Sequence, residues 1–121
     1  MLQPESILKV ADNTGAQAVK VITVLGSLKI AKLGDVVTGS VQGVFSSNSI
    51  VSDHEVVRAV IVRAKKEQAR DDGSYIRFDD NACAVIDKKG QPRGTRIFGP
   101  VAREVRRAGF TELAAMAPEV I

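Results

Sequence analysis

The sequence predicts a mainly β protein, a small closed or nearly closed barrel followed by two short helices. Apolar runs rich in Val and Ile recur at a spacing of roughly ten residues, with turn-forming segments between them. Patterns typical of helices occur only in the last quarter of the chain. Closure of the sheet is favoured because it leaves no free Val/Ile-rich strand edges that could promote aggregation.

Each predicted strand is a short run of β-branched or aromatic residues bounded by Gly, Asp or Asn. The segment Asp71-Asp72-Gly73 is a strong hairpin signal before the strand that starts at Tyr75. In that strand Tyr75 and Arg77 share one face, and Tyr75 is the only one of the five aromatic residues expected to be exposed. The predicted strands cover residues 7–10, 18–25, 36–41, 56–63, 75–78 and 82–86.

Two short helices are predicted near the C-terminus. Pro100 suits the first position of a helix that runs to residue 107, and Gly109 terminates it. Thr111 is expected to cap a second helix over residues 112–116, which ends before Pro118. We expect a single domain over residues 1–121, with the barrel at about 1–90 and the arginine-bearing loop and helices at about 91–121.

The distribution of charge indicates a polyanionic partner. The net charge is only +3, but residues 58–107 hold thirteen Lys and Arg against seven Asp and Glu, a local excess of +6. Within this block, the loop at 90–100 places Arg93 and Arg96 among glycines and prolines that restrict its shape. Guanidinium forks suit phosphate oxygens, and the absence of Trp argues against a protein that binds single strands mainly by stacking.

No enzyme is predicted. His54 lies between two acidic residues and is expected in an exposed loop, while Cys83 lies in an apolar strand and is expected to be buried. These two residues do not form a metal site, and no cofactor site is predicted. The sequence shows neither a secretory signal nor an apolar run of about 18 residues, so a soluble protein with no membrane partner is expected.

Six segments in the correct order and spacing resemble the universal large-subunit ribosomal protein of the L-fourteen family, in its bacterial or plastid form. The resemblance extends from end to end of the chain. The segments are VADNTGA at 10–16, LGDV at 33–36, RAVIVR at 58–63, DGSYIRFDDNA at 72–82, GTRIFGP at 94–100 and APEVI at 117–121.

The resemblance implies a five-stranded barrel with a β-ribbon and two short C-terminal helices. It also implies a structural constituent of the large ribosomal subunit that binds large-subunit rRNA and contacts small-subunit rRNA in an intersubunit bridge. The implied neighbours are ribosomal proteins of the L-three and L-nineteen families, with a ribosome-silencing factor as a further partner. The implied location is a ribosome in the bacterial cytoplasm or in an organelle, either plastid or mitochondrion.

The family pattern and the basic block together predict three sets of site residues. The predicted rRNA-binding residues are Lys9, Arg63, Lys65, Lys66, Arg70, Arg93, Arg96, Arg103, Arg106 and Arg107. The predicted subunit-interface residues are Thr95, Arg96 and Phe98. The predicted structural turns use Asp12, Asn13, Gly15, Gly34, Asp35, Gly73, Asn81, Gly94 and Gly99.

Two regions depart from the family pattern. Around residues 27–31 the family usually carries a glycine followed by paired arginines and a tyrosine, and over 42–55 it usually has a proline-glycine turn flanked by lysines. Here the second stretch is rich in Ser and Asn and contains acidic residues, and Ala84 replaces a usual valine. Several phosphate contacts are thereby removed, which suits a divergent lineage or an organellar ribosome that substitutes protein contacts for RNA contacts.

Two other functional classes remain open from the residues alone. A free-standing barrel of the oligonucleotide-binding type, acting off the ribosome, requires surface aromatics for stacking. A protein–protein adaptor requires a large exposed apolar patch and binding that is indifferent to salt.

Overall fold

The computed structural model describes residues 2–26 and 30–121, and this part of the chain is mainly β. The family departure at residues 27–29 therefore lies outside the described residues. The strands are β1 Ile7–Val10, β2 Ala16–Val24, β3 Val36–Val44, β4 Val56–Arg63, β5 Gln68–Ala69, β6 Tyr75–Ile76 and β7 Ala82–Ile86. The helices are α1 Arg103–Arg107 and α2 Thr111–Met116.

Five strands form a closed barrel in the order β1-β2-β3-β4-β7, which confirms the predicted barrel. Neighbouring strands are antiparallel except for β1 and β7, which close the barrel in parallel through Lys9 opposite Ala82 and Val10 opposite Cys83. The predicted strand at 75–78 is not part of the barrel. Its first two residues form β6, which pairs with β5 in a separate two-stranded hairpin.

Alternation along the strands fills the barrel with aliphatic side chains. In β2, Val19 and Val21 are buried in the interior, whereas Lys20 between them is exposed. This is the two-residue period of a strand that is buried on one face. The hairpin adds to this core from outside, because Ile76 and Phe78 pack against it while Tyr75 and Arg77 are exposed, as predicted.

Strands β4 and β7 are buried on both faces. Their inward side chains, such as Ile61 and Cys83, belong to the barrel interior. Their outward side chains, such as Val60 and Ala84, pack in a second apolar cluster with Val105 of α1 and Leu113 of α2. The continuous apolar run of each strand follows from this double burial.

The two helices begin differently from the sequence prediction. Helix α1 starts at Arg103, because Val101 is held in a parallel bridge to Val120 and the Ala102 amide bonds to the Val62 carbonyl oxygen. Pro100 is therefore not the first helical residue. Thr111 lies inside α2, and Phe110 precedes this helix without a side-chain capping bond, so the predicted Thr111 cap is wrong.

Candidate nucleic-acid interface

The arginine-bearing loop is held against the turn between β1 and β2. Oδ1 of Asn13 accepts hydrogen bonds from the amides of Thr95 (2.7 Å) and Arg96 (3.0 Å), and Nδ2 of Asn13 donates to Oγ1 of Thr95 (2.8 Å). The Phe98 amide donates to the Ala11 carbonyl oxygen at 2.7 Å. One side chain and one backbone bond thus fix the path of residues 95–98, so the Arg96 side chain extends from a defined position.

The buried carboxylate of Asp12 stabilises the same turn through hydrogen bonds. The Asp12 carboxylate accepts from the Thr14 amide (3.1 Å), the Thr14 hydroxyl (2.6 Å) and the Val85 amide (2.8 Å). Burial raises the pKa of Asp12 above its ordinary value, and the hydrogen bonds from Thr14 and Val85 oppose that rise. The turn that supports the loop is therefore bonded to β7 of the barrel.

The Arg63 side chain is buried and bonds to groups of the protein itself. Its side chain is 8% exposed, and its Nε and Nη2 donate to the two carboxylate oxygens of Asp80 at 2.8 and 3.3 Å. Its Nη1 donates to the carbonyl oxygens of Phe98 (2.9 Å) and Pro100 (3.1 Å). All three guanidinium nitrogens are used within the protein, so this arginine secures the far end of the loop.

Two other predicted RNA-binding arginines also bond within the protein. Arg70 of the hairpin segment donates to both carboxylate oxygens of Glu104 (3.2 and 3.0 Å) and to the Ile121 carbonyl oxygen (2.7 Å). Arg93 donates to Oε2 of Glu55 at 2.8 Å, and this bond lowers the pKa of Glu55 below its ordinary value. Arg70 thus ties the hairpin to α1, and Arg93 ties the arginine loop to the segment before β4.

The remaining predicted cations are exposed. The Arg96 guanidinium carbon lies 5.6 Å from the centroid of the Phe98 ring, a cation–π contact at the surface. Lys9 and Arg107 make only long ion pairs, to Asp80 at 4.0 Å and to Asp71 at 3.7 Å. Four more predicted cations, which make no ion pair within residues 2–26 and 30–121, have exposed positions: Lys65, Lys66, Arg103 and Arg106.

The hairpin turn places acidic groups beside α1. The hydroxyl and amide of Ser74 lower the pKa of Asp72, and the charges of Arg103 and Arg70 lower it further. Because Asp71 also lies near Arg107, two of the three outward arginines of α1 face carboxylates across the hairpin. Arg106 is the outward arginine of this helix for which no such carboxylate neighbour is found among the described residues.

The predicted turn residues occupy tight connections. At Gly99, φ is +81°, and a Cβ there would lie 2.5 Å from Nη1 of Arg63. Both the backbone conformation and the lack of space therefore disfavour a side chain at this position. A Cβ on Gly94 would lie 2.7 Å from Oδ1 of Asn13, because the loop passes close to that amide. Gly15, Gly34 and Gly73 also have positive φ, Asp35 accepts from the Lys32 amide, and Asn81 accepts from the Lys65 amide.

Some surface residues were missed by sequence reasoning. Lys20 and Arg58 are exposed on strands, and only their alternation with buried neighbours could have indicated this. The expectation that Tyr75 alone among the aromatics is exposed is wrong. Phe45 is 76% exposed and Phe98 is 50% exposed, because both lie in loops outside the two apolar cores.

The two residues considered for catalysis lie far from any reactive arrangement. Cys83 is buried in the barrel interior, and burial raises the pKa of its thiol, which suppresses the reactive thiolate. The His54 side chain is 76% exposed in a loop. Within the described ranges no cluster of three potential metal-ligating side chains occurs, and no helix has the length and apolar character needed to cross a membrane.

Comparison with protein families agrees with this arrangement. The family model described as ribosomal protein L14p/L23e matches residues 1–121, the full length of the chain. Members of this family are structural, non-enzymatic proteins of the large ribosomal subunit, with rRNA and other ribosomal proteins as partners. With its closed five-stranded barrel, its hairpin and its two C-terminal helices, the chain belongs to the ribosomal protein L14p/L23e family.

Proposed function

We propose that the chain binds large-subunit rRNA through its outward-facing cations and contributes to an intersubunit bridge with small-subunit rRNA through Thr95, Arg96 and Phe98. The observation that carries the proposal is the double hydrogen bond from the loop amides to Oδ1 of Asn13, which holds Arg96 at the surface. A preorganised guanidinium loses little conformational entropy when it pairs with phosphate, so its contact is efficient.

The predicted RNA-binding set separates into two roles in this proposal. Arg63, Arg70 and Arg93 stabilise the scaffold, since each donates to carboxylates and carbonyls of the protein itself. The phosphate contacts fall to the exposed members, with Arg96 and Arg106 the most accessible. These are Lys9, Lys65, Lys66, Arg96, Arg103, Arg106 and Arg107.

The resemblance to the family supports the finer assignments. In this proposal, ribosomal proteins of the L-three and L-nineteen families are neighbours of the chain and a ribosome-silencing factor docks on its exposed face, as the resemblance implies. It also favours the bacterial or plastid form, in a ribosome of the bacterial cytoplasm or of an organelle, with residues 1–121 acting as one domain.

Charge reversal at the exposed arginines tests the rRNA-binding role. In the double variant Arg96→Glu and Arg106→Glu, we expect occupancy in large-subunit particles to fall, measured by sedimentation and quantitation of the protein. The matched control is the double reversal Lys88→Glu and Lys89→Glu, which changes the same charge at exposed positions outside the proposed surface. Equal occupancy of wild type and of the Arg96/Arg106 variant would contradict the proposal.

Salt separates the ribosomal role from the two alternatives. A ribosomal protein held by phosphate contacts should sediment with the large subunit and leave it only at high ionic strength. A free-standing RNA factor, which the exposed rings of Phe45 and Phe98 would suit, should be found mainly off ribosomes. An adaptor should stay with its protein partner at any salt concentration.

The bridge assignment needs its own measurement. We expect Thr95→Ala combined with Arg96→Ala to weaken association of large and small subunits at limiting Mg²⁺, followed by light scattering on large subunits that contain the variant protein. Loss of assembly without any change in association of the particles that do form would assign these residues to large-subunit rRNA instead.

A further inference from the structure

A groove beside the arginine loop is flanked by two exposed phenylalanine rings. The groove has a volume of about 700 Å³, its lining surface is mostly apolar, and residues of β1 and of the loop around Pro100 contribute to it. Phe45, which follows β3, and Phe98, in the arginine loop, both line it. Exposed aromatic rings are costly in water, so two of them at one groove indicate a surface that is covered in the assembled state.

Two of the three carboxylates that line the groove are bonded within the protein. Asp80 gives both carboxylate oxygens to Arg63, and Asp12 is buried and bonded to its own turn. Asp79 is an exposed carboxylate of the lining, and Arg77 is an exposed cation of the same lining. The interior of the groove therefore favours an uncharged, flat, apolar-faced group.

Cations surround this neutral interior. Lys9 and Arg77 line the groove, and Arg96 lies 5.6 Å from the centroid of the Phe98 ring at its border. Aromatic surfaces with cations beside them match the alternation of base and phosphate in a nucleotide chain.

We propose that this groove binds an unstacked nucleobase of rRNA, with Phe45 and Phe98 as stacking surfaces and with Lys9, Arg77 and Arg96 facing the flanking phosphates. The inference rests on the proposed rRNA binding and extends it from backbone contacts to a single-stranded nucleotide. Phe45 belongs to the stretch that departs from the family pattern, so the stacking contact offsets the lysines missing from that stretch.

Affinity for single-stranded RNA tests the groove directly. The full-length protein is titrated into a fluorescein-labelled eight-nucleotide RNA and, separately, into the same RNA annealed to its complement, with binding followed by anisotropy. We expect Phe45→Ala and Phe98→Ala each to weaken binding to the single strand at least about fivefold, the effect of losing one stacked base. Duplex binding should change less than twofold. The matched control is Tyr75→Ala, which removes an equally exposed ring that does not line the groove.

Aromatic NMR signals locate the base. The chain has four Phe and one Tyr, so the ring signals of ¹³C-labelled protein are few. A base stacked in the groove should shift the ring protons of Phe45 and Phe98 upfield when the eight-nucleotide RNA is added, while the Tyr75 signals stay in place.

The outcomes are distinguishable. Unchanged single-strand affinity in both Phe variants overturns the groove proposal while leaving rRNA binding intact. A different result is that the Phe variants keep their RNA affinity while the large subunits that contain them lack another ribosomal protein. In that case the groove is a protein-docking surface and the nucleobase proposal is wrong. If wild-type protein binds neither the single strand nor the duplex, while large subunits still retain it, the groove proposal fails and the ribosomal role stands.

Discussion

Arg63 shows that a residue type alone does not define an RNA contact. It lies in the basic block with the exposed arginines, yet its guanidinium is saturated by Asp80 and by two carbonyl oxygens of the arginine loop. In the folded chain its guanidinium stabilises the arginine loop through these hydrogen bonds.

The geometry at Arg63 predicts that even a conservative substitution lowers the stability of the fold. Arg63→Lys keeps the charge but cannot supply the planar fork, so Asp80 and the carbonyls of Phe98 and Pro100 lose partners. We expect a loss of about 1–3 kcal/mol in the free energy of unfolding, measured by urea denaturation. The matched control is Arg58→Lys at an exposed position of the same strand, where the change should stay within about 0.5 kcal/mol. Equal stability of the two variants would refute this role.

Arg63 does not follow the alternation of its strand, which would place it on the barrel-interior face with Ala59 and Ile61. The pairing of β4 with β7 shifts register between Ile61 and Arg63, so that Ile61 is opposite Cys83 and Arg63 is opposite Ala82. Such a bulge redirects the side chains beyond it. Its position depends on the partner strand, and no local signal in RAVIVR specifies it.

At the scale of elements, the loop and the β1–β2 turn behave as one unit through Asn13. Asn13→Ala removes the acceptor of the Thr95 and Arg96 amides. We expect hydrogen exchange at these two amides to accelerate at least about fivefold, since a bond worth roughly 1 kcal/mol is lost. Affinity for rRNA should fall as the Arg96 position becomes less defined. Asn48→Ala, in an exposed loop, should leave both quantities unchanged.

The ion pair between Glu55 and Arg93 joins two loops and makes their contact dependent on pH. The hydrogen bond from Arg93 lowers the pKa of Glu55 below its ordinary value of 4.5. The unfolded chain therefore binds a proton at a higher pH than the folded chain. This stabilisation is fully present above pH 4.5 and is lost as pH falls through the lowered pKa.

Denaturation at two pH values measures that contribution. Wild type should be more stable than Glu55→Gln at pH 7, and the difference should narrow at pH 3, where the Glu55 carboxyl of the unfolded chain is protonated. Gln keeps an oxygen that can accept from the Ser52 amide, so the comparison isolates the charge. A difference that is the same at both pH values would show that Arg93 does not stabilise the ionised form.

The elements differ in how far the sequence predicts them. The barrel strands follow from β-branched runs between turns, and four of the five both begin and end within two residues of the prediction. The first residue of α1 cannot be predicted from the local sequence in this way. The tertiary pairing of Val101 with Val120 overrides the preference of Pro100 for a first helical turn. The exposure of Phe45 and Phe98 was also unpredictable, since it depends on which loops the helices leave uncovered.

At the scale of the whole molecule, the two apolar cores are coupled by β4 and β7. Ile61 and Val85 pack inside the barrel, whereas Val60 and Ala84 of the same strands pack under the helices. Separation of either strand exposes both cores at once. We therefore expect cooperative unfolding, with no state in which β7 has separated from the barrel while the helices remain packed.

The reactivity of the Cys83 thiol measures this cooperativity, because Cys83 lies on β7 inside the barrel and burial raises the pKa of its thiol. We expect its reaction with a disulfide reagent at pH 8 to proceed only through global unfolding, so that the free energy of opening from the reaction rate equals the free energy from urea denaturation. A Ser47→Cys variant supplies the control, since its added thiol in an exposed loop should react within seconds while Cys83 stays protected. If Cys83 reacts with an opening free energy several kcal/mol below the global value, β7 separates on its own and the two cores are independent.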